Sequence, residues 1–313
     1  MKRIVAVVLT LALFGWLATQ EGWSALLEAA RALSLPALAL GVAGLLASYF
    51  IRALRVHSEF KYQSVDGAQR RNGYWPCLRI VMIHNAMVNV VPFRGGEAAF
   101  PILLQRHFGV SLSRALASLF WFRLQDAFVV MALAALIWPG IPIPLRLFAI
   151  AALLLCAWYL PHWAARSSGR EPVGHFAALV SRLRTAFAES TQHARLGWLW
   201  TVSNWTVKLA AQAWLLAHVL GSGFAVAGAG VLGAELAAIQ PVQGVAGFGT
   251  YEAGAAAALL PNGIALTEGL KAALVLHLIV IASAVSVGVI AWLWPGKTAV
   301  RLTDKSMYDG NRP

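Results

Sequence analysis

Apolar residues run along this chain in long blocks rather than at alternating positions. Blocks long enough to cross about 30 Å of hydrocarbon as helices lie near residues 4–20, 35–54, 115–138, 145–160, 196–220 and 266–294. The first and fourth are near the short limit. Two further apolar regions, 76–107 and 225–260, are broken in the middle. The first break is Pro92-Phe93-Arg94-Gly95-Gly96-Glu97, and the second runs from Pro241 to Glu252. Most of their arms are too short to cross alone, which predicts re-entrant helical hairpins, with fully paired helices as the alternative. Between the fourth and fifth blocks, Val173, Phe176, Ala177, Val180, Leu183 and Phe187 recur at helical spacing. That spacing predicts a surface-lying amphipathic helix over 173–190.

The blocks also repeat. Gly109-Val110-Ser111-Leu112-Ser113-Arg114-Ala115-Leu116 aligns without a gap with Gly263-Ile264-Ala265-Leu266-Thr267-Glu268-Gly269-Leu270, and each leads into a long apolar segment. Arg123 lies as far beyond Gly109 as His277 lies beyond Gly263, and Glu97 and Glu252 precede these glycines after glycine-rich turns. Repeats around interrupted apolar segments are a common way to build a transport site.

Loop charge orients the pieces. The segment from Arg52 to Arg71 holds five basic residues against Glu59 and Asp66, and the segment from Arg166 to Arg195 holds five against Glu171 and Glu189. Both read as cytoplasmic. The uncharged turns Pro139–Pro144 and Gly221–Gly223, and the segment Glu21–Arg31, read as external. Threading the chain through these sides puts both termini in the cytoplasm and gives the repeats opposite orientation. The expected architecture is an all-α polytopic membrane protein with about six full spans plus two re-entrant helical hairpins, or eight spans, in an inverted repeat. A single membrane domain would fill 1–313, with repeat halves at about 35–138 and 196–294, a cytoplasmic amphipathic segment at 161–195 and a cytoplasmic tail at 295–313.

Composition agrees with a membrane setting. Hydrophobic residues make up 59% of the 313 residues and charged ones only 12%, with a mean hydropathy of +0.67. Trp16, Trp23, Trp138, Trp158, Trp198, Trp292 and Trp294 lie near the ends of apolar runs, where indole rings settle at the headgroup layer. The formal charge of +12 fits basic cytoplasmic loops touching anionic lipid, and no pattern of interleaved aromatics points to nucleic acid. Cys77 and Cys156 have no second thiol at metal spacing, so neither a disulfide framework nor a zinc site is expected. Met1-Lys2-Arg3 and the apolar residues after it lack a convincing small-x-small cleavage site and read as a retained helix.

Charges inside hydrocarbon cost roughly 2.5–3.5 kcal/mol each on insertion scales, so each needs a partner or a task. Arg94 and Glu97 sit in a break whose proline and glycines leave backbone N–H groups free. They form a structural pair or cap, or they hold a substrate. Asn85 and Asn89, one turn apart, either satisfy broken backbone or meet a headgroup. Arg123 and Asp126 are spaced i, i+3 and meet on one helix face. They make a self-contained ion pair, or Asp126 aims Arg123 at an anionic headgroup. Glu252 mirrors Glu97. His277 is a single core histidine or a group that couples protons. Lys208 and Glu235 pair with each other or with site residues, and Gly228, Gly230 and Gly233 allow close helix contact. His84 has no metal-spaced partner.

Pro92-Phe93-Arg94-Gly95-Gly96-Glu97, followed by Gly109 and Arg123-Leu124-Gln125-Asp126, resembles the signature of a flippase-like membrane family that includes the membrane region of lysylphosphatidylglycerol synthases. Asn89 upstream and Gly247-Phe248-Gly249-Thr250-Tyr251-Glu252 downstream are similar to the same pattern. The resemblance covers nearly the whole chain. It implies movement of a lipid between leaflets: an aminoacylated phospholipid, a polyprenyl-linked glycan carrier or a hopanoid-related lipid. It also implies Arg94, Glu97, Arg123, Asp126 and Glu252 as site residues. Ala246 stands where glycine is usual, Tyr251 where a basic residue is frequent, Phe122 where glutamate is common and His277 where arginine is often found. These departures make the second half less cationic. Lysyl transfer needs a soluble catalytic domain, and none fits in this chain.

The resulting expectation is a lipid flippase or transporter in a bacterial cytoplasmic (inner) membrane. It would not be an enzyme and would use no cofactor and no metal. Its substrate-binding residues would be Arg94, Glu97, Asn89, Arg123, Asp126, Glu252 and His277. Membrane lipids would be its partners, with a lipid-modifying enzyme as a further one. The alternatives are a membrane-embedded lipid-modifying enzyme with Glu97 or Glu252 as general base, and a non-catalytic partner of a lipid-modifying or glycosylation enzyme.

Overall fold

The computed structural model describes residues 15, 20–65, 68–91, 95–138, 140–165, 181, 188, 195–240 and 244–294. Helix α1 (Gln20–Arg31) is followed by α2 (Leu35–Phe60), a hairpin of strands β1 (Tyr62–Val65) and β2 (Ala68–Arg71), α3 (Tyr74–Val90), a 3-10 turn (Gly95–Ala98), α4 (Ala99–Phe108), α5 (Leu112–Ile137) and α6 (Ile143–Ala165). After the fourth block come α7 (Arg195–Leu220), α8 (Phe224–Ile239), a 3-10 turn (Val245–Gly247), α9 (Thr250–Leu259), a 3-10 turn (Leu260–Asn262) and α10 (Leu266–Leu293). The molecule is an all-α polytopic membrane protein. Its β-hairpin, with Tyr62 opposite Arg71, is a short connector between helices. The predicted block 4–20 and amphipathic helix 173–190 fall almost wholly outside the described residues, as does the 295–313 tail.

Among the described residues, four helices are long and apolar enough to cross a membrane: α2, α5, α6 over Ile143–Leu160, and α10. Helices α7 and α8 pass the same test together, bent by 116° at the break between them. Both interrupted regions fold as broken helix pairs. The returning arms α4 and α9 have 10 residues each, and at 1.5 Å per residue each reaches only about 15 Å, half the hydrocarbon thickness. The order long helix, broken hairpin, long helix therefore occurs twice, from α2 to α5 and from α7 to α10.

Local sequence sets the element ends. The Ser34 hydroxyl accepts from the Ala37 amide at the start of α2, and Ser111 does the same for Arg114 at the start of α5. Gly109 and Gly263, the aligned glycines of the repeat, both adopt positive φ (69° and 82°) and end the returning arms. Arg146, just inside α6, donates to the carbonyls of Ile141 and Trp138 and so satisfies the free end of α5.

Small residues bring the helices close enough for their polar groups to meet. The most extensive contact is between α2 and α7, where Gly41 faces Leu215 and Gly44 faces Ala211. Helix α3 lies along α10, with Gly288 against Ala86, and α8 lies along α9. At Gly233 an added Cβ would overlap the Gly254 carbonyl, and at Gly230 it would press on Leu259 and Leu216. Gly228 meets nothing within 4 Å, so the packing role expected for all three glycines holds for Gly230 and Gly233 alone. Trp198, near the start of α7, packs edge-on against Trp121 and near Phe128.

Two tests follow from this packing. Gly233→Leu should abolish monodisperse, folded protein in detergent, whereas Gly228→Leu should elute and melt as the parent does. Ala246 has φ 55° and is the sole non-glycine residue with positive φ among the described residues. Left-handed backbone costs a side chain roughly 1–2 kcal/mol, partly offset by the larger unfolded-state entropy of glycine. Ala246→Gly should therefore raise the thermal midpoint, by about 0.5–1 kcal/mol of stability.

Candidate functional site

Helix α2 does not stop where its apolar block ends. It continues to Phe60, carrying Arg52 and Arg55 into the bundle rather than into the cytoplasmic loop where loop-charge counting put them. The loop beyond α2 keeps Lys61, Arg70 and Arg71 against Asp66 and stays basic. Arg55 is 2% exposed. Its Nη1 donates to Asp126 Oδ1 at 2.7 Å, and its Nη2 donates to the Phe122 carbonyl at 2.7 Å and to Gln125 Oε1 at 2.9 Å. The guanidinium also lies 4.2 Å from the Phe122 ring centroid. Trp205 Nε1 donates to the same Asp126 oxygen at 3.0 Å.

Asp126 is thus committed to Arg55, and the expected self-contained Arg123–Asp126 pair is not what forms. Arg123 Nη1 stands 3.8 Å from Asp126 Oδ2. Its close partner is Glu97, to which Nη2 donates at 2.7 Å and Nε at 3.1 Å in a two-pronged bridge. Glu97 begins the returning arm, as its glycine-rich approach predicted, and His84 Nε2 approaches it at 3.8 Å. Gly96 makes this possible: a Cβ there would collide with the Met87 backbone of the outgoing arm.

The second half repeats this arrangement with different residues. Glu252 sits in the first turn of α9, where Oε2 accepts from the Gly249 amide at 2.7 Å. Its Oε1 lies 2.6 Å from His277 Nδ1. The histidine ring stacks on Tyr251 at 4.4 Å and leans on Phe248 at 4.8 Å. Glu97 with Arg123 and Glu252 with His277 therefore occupy matching positions, each a carboxylate bonded to a nitrogen group on the following long helix. A second match joins the long helices to the hairpins. Arg52 Nη1 donates to Asn85 Oδ1 at 2.6 Å, and Gln212 Nε2 donates to Glu235 Oε1 at 2.8 Å. Arg52 and Gln212 hold the same position counted from the starts of α2 and α7, as do Asn85 and Glu235 in α3 and α8. Lys208 Nζ reaches Glu235 at 2.7 Å, which settles the partner left open by sequence.

Arg52, Asn85, Arg123, Lys208, Glu235 and Tyr251 are among the groups that line one cavity of about 630 Å³, whereas Arg55 and Gln212 are not. Of the predicted residues it gathers Glu97, Asn89, Arg123, Asp126 and His277, with Glu252 directly behind His277. Arg94 lies outside the described residues. Asn89 lines the cavity and turns its amide nitrogen to its own helix, donating to the Asn85 carbonyl at 2.7 Å. Arg52, Arg55, Asn85, Asn204, Trp205 and Lys208 are the polar groups that site assignment from sequence missed or left without a role. A signal was present: Ser48, Arg52, Arg55 and Glu59 recur at helical spacing, as do Asn204 and Lys208. Chemically, the cavity offers both signs of charge, mostly held in pairs.

No curated protein sequence matches the chain. The profile of the family described as the lysylphosphatidylglycerol synthase TM region does match, over residues 3–293. That span takes in both long-helix and hairpin sets and the whole cavity, and the chain belongs to the lysylphosphatidylglycerol synthase transmembrane-region family.

Proposed function

We propose that this protein is a lipid transporter that moves a polar-headgroup lipid between leaflets of a bacterial cytoplasmic membrane. Family membership associates the fold with a membrane domain of lipid modification or transport. The observation that carries the finer reading is the pair of matching bridges, Glu97 with Arg123 and Glu252 with His277, set around one polar cavity in an apolar bundle. On this reading the two element sets are an inverted repeat with both termini cytoplasmic, as loop charge suggests. Rocking of one set against the other exposes the cavity to either side. The headgroup enters by exchanging its charges for those of the bridges, and the acyl chains stay in lipid.

The carboxylates then hold charge rather than perform catalysis. Glu97→Gln keeps the shape of the bridge and removes its charge, which for a charge-assisted hydrogen bond amounts to about 1.5–3 kcal/mol. Lipid movement in reconstituted vesicles should fall by roughly tenfold or more, with insertion and monodispersity unchanged. An unaltered transport rate would remove Glu97 from the mechanism. Asp126→Asn should behave differently. It strands the buried Arg55 charge, at a cost of about 3–5 kcal/mol, so the thermal midpoint and folded yield should drop before any transport assay is possible.

A further inference from the structure

At the end of the bundle that carries the basic hairpin loop, three basic side chains meet away from the cavity. Arg79, in the second turn of α3, donates its Nε to the Ala291 carbonyl at 2.8 Å and its Nη2 to the Trp292 carbonyl at 3.4 Å, so it holds the last turn of α10. Arg106 and His107 lie in the last turn of α4. The charged groups that bear on the His107 imidazole are Arg79 and Arg106, which brings the ends of α3, α4 and α10 to one place. None of the three lines the cavity. Arg106 is exposed, and Arg79 and His107 are half-buried.

Positive charge is left over here. Among the described residues, no carboxylate lies within ion-pairing distance of these side chains. What does oppose them is backbone: Arg79 faces the C-terminus of α10, and Arg106 stands in that of α4. Each such end carries roughly half a negative charge, against a full positive charge on each guanidinium, so about one charge remains. The tail does not supply the difference. Residues 295–313 hold Lys297, Arg301, Lys305 and Arg312 against Asp304 and Asp309, and are themselves cationic.

The setting points to a lipid rather than a dissolved anion. Trp75 precedes Arg79 by one helical turn and Ile102 precedes Arg106 by the same spacing, so each cation shares a helix face with an apolar side chain. Both apolar side chains are exposed, as is Trp292. Exposed indoles settle at the headgroup layer. A basic recess between helix ends at that depth suits a phosphate whose acyl chains run along the apolar flank.

We propose that Arg79, Arg106 and His107 form a surface site for the phosphate of an anionic phospholipid, in the leaflet that meets the basic hairpin loop. His107 offers a ring N–H to that phosphate, and Arg106 an exposed guanidinium fork. Arg79 stays bonded to α10 and lends its charge, so a lipid seated there clamps the ends of α3, α4 and α10. The site goes beyond the transporter reading and does not depend on it.

The test counts the lipid retained by purified full-length protein in native mass spectrometry, from detergent micelles doped equally with dioleoylphosphatidylglycerol and dioleoylphosphatidylcholine. The wild type should retain the anionic lipid preferentially. Arg106→Gln combined with His107→Gln should cut that preference about fivefold or more, whereas Arg106→Lys should keep most of it. Arg79 is left in place because it closes α10. A control, Lys61→Gln combined with Arg71→Gln, removes as much charge from the neighbouring hairpin and should show the wild-type preference. Equal retention of both lipids by the wild type overturns the site, as does an undiminished preference in the Arg106 and His107 variant. An equal loss in the hairpin control also overturns it, because the attraction would then be spread over the whole basic end. If the paired variant does not fold, Arg106→Gln alone is read by the same criteria.

Discussion

A guanidinium cannot shed its proton inside a protein, so a buried arginine must be met by an anion and by acceptors for its N–H groups. Arg55 imposes that constraint here. It is enclosed by α5, which supplies the Asp126 carboxylate, the Phe122 carbonyl, the Gln125 amide oxygen and the Phe122 ring face. Helices α2 and α5 are thereby fixed at one register. Trp205 joins α7 to the same carboxylate oxygen, so a single aspartate ties together three long helices. Because Asp126 is occupied in this way, Arg123 is turned toward Glu97 and Arg52 toward Asn85. The arrangement of the cavity's first half descends from that one buried pair.

Such a network needs backbones closer than large side chains permit. Without a hydrophobic force between helices in lipid, packing depends on shape, and small residues supply it. Gly41 and Gly44 let α2 approach α7, Gly233 and Gly254 let α8 close on α9, and Gly96 lets the first hairpin fold tightly enough to deliver Glu97. The glycines and the charges are linked parts of one solution. A polar side chain at the centre of an apolar bundle is tolerable only where its partner's helix comes within hydrogen-bond reach, and the glycines set that reach.

Much of this was legible in the sequence because it depends on local features. Block length gave the long helices, and the proline and glycine breaks gave the hairpins. The aligned Gly109 and Gly263 marked the two left-handed turns that close them. The pairing of Glu252 with His277 and of Glu97 with Arg123 followed the repeat register, although the partners themselves were not named. The illegible part was where a helix continues through charge. Arg52 closes the apolar block 35–54 and Arg55 lies just beyond it, where a basic loop begins, so hydropathy ends the span between them. The structure keeps the helix going because Asp126, far along the chain, neutralises Arg55 inside the bundle. The i, i+3 spacing of Arg123 and Asp126 misled for the same reason: adjacency on a helix permits a pair, and distant competitors decide it.

The two bridges are alike in position and unlike in chemistry. Arginine at Arg123 gives Glu97 a planar guanidinium that donates two bonds. Histidine at His277 gives Glu252 one ring nitrogen at 2.6 Å and a flat face packed between Tyr251 and Phe248. Glu252 also accepts from the Gly249 amide, so backbone as well as His277 fixes its position. The consequence is a division of labour along the cavity. The first half is held by charge pairs built around Arg55. The second is held by backbone and ring stacking.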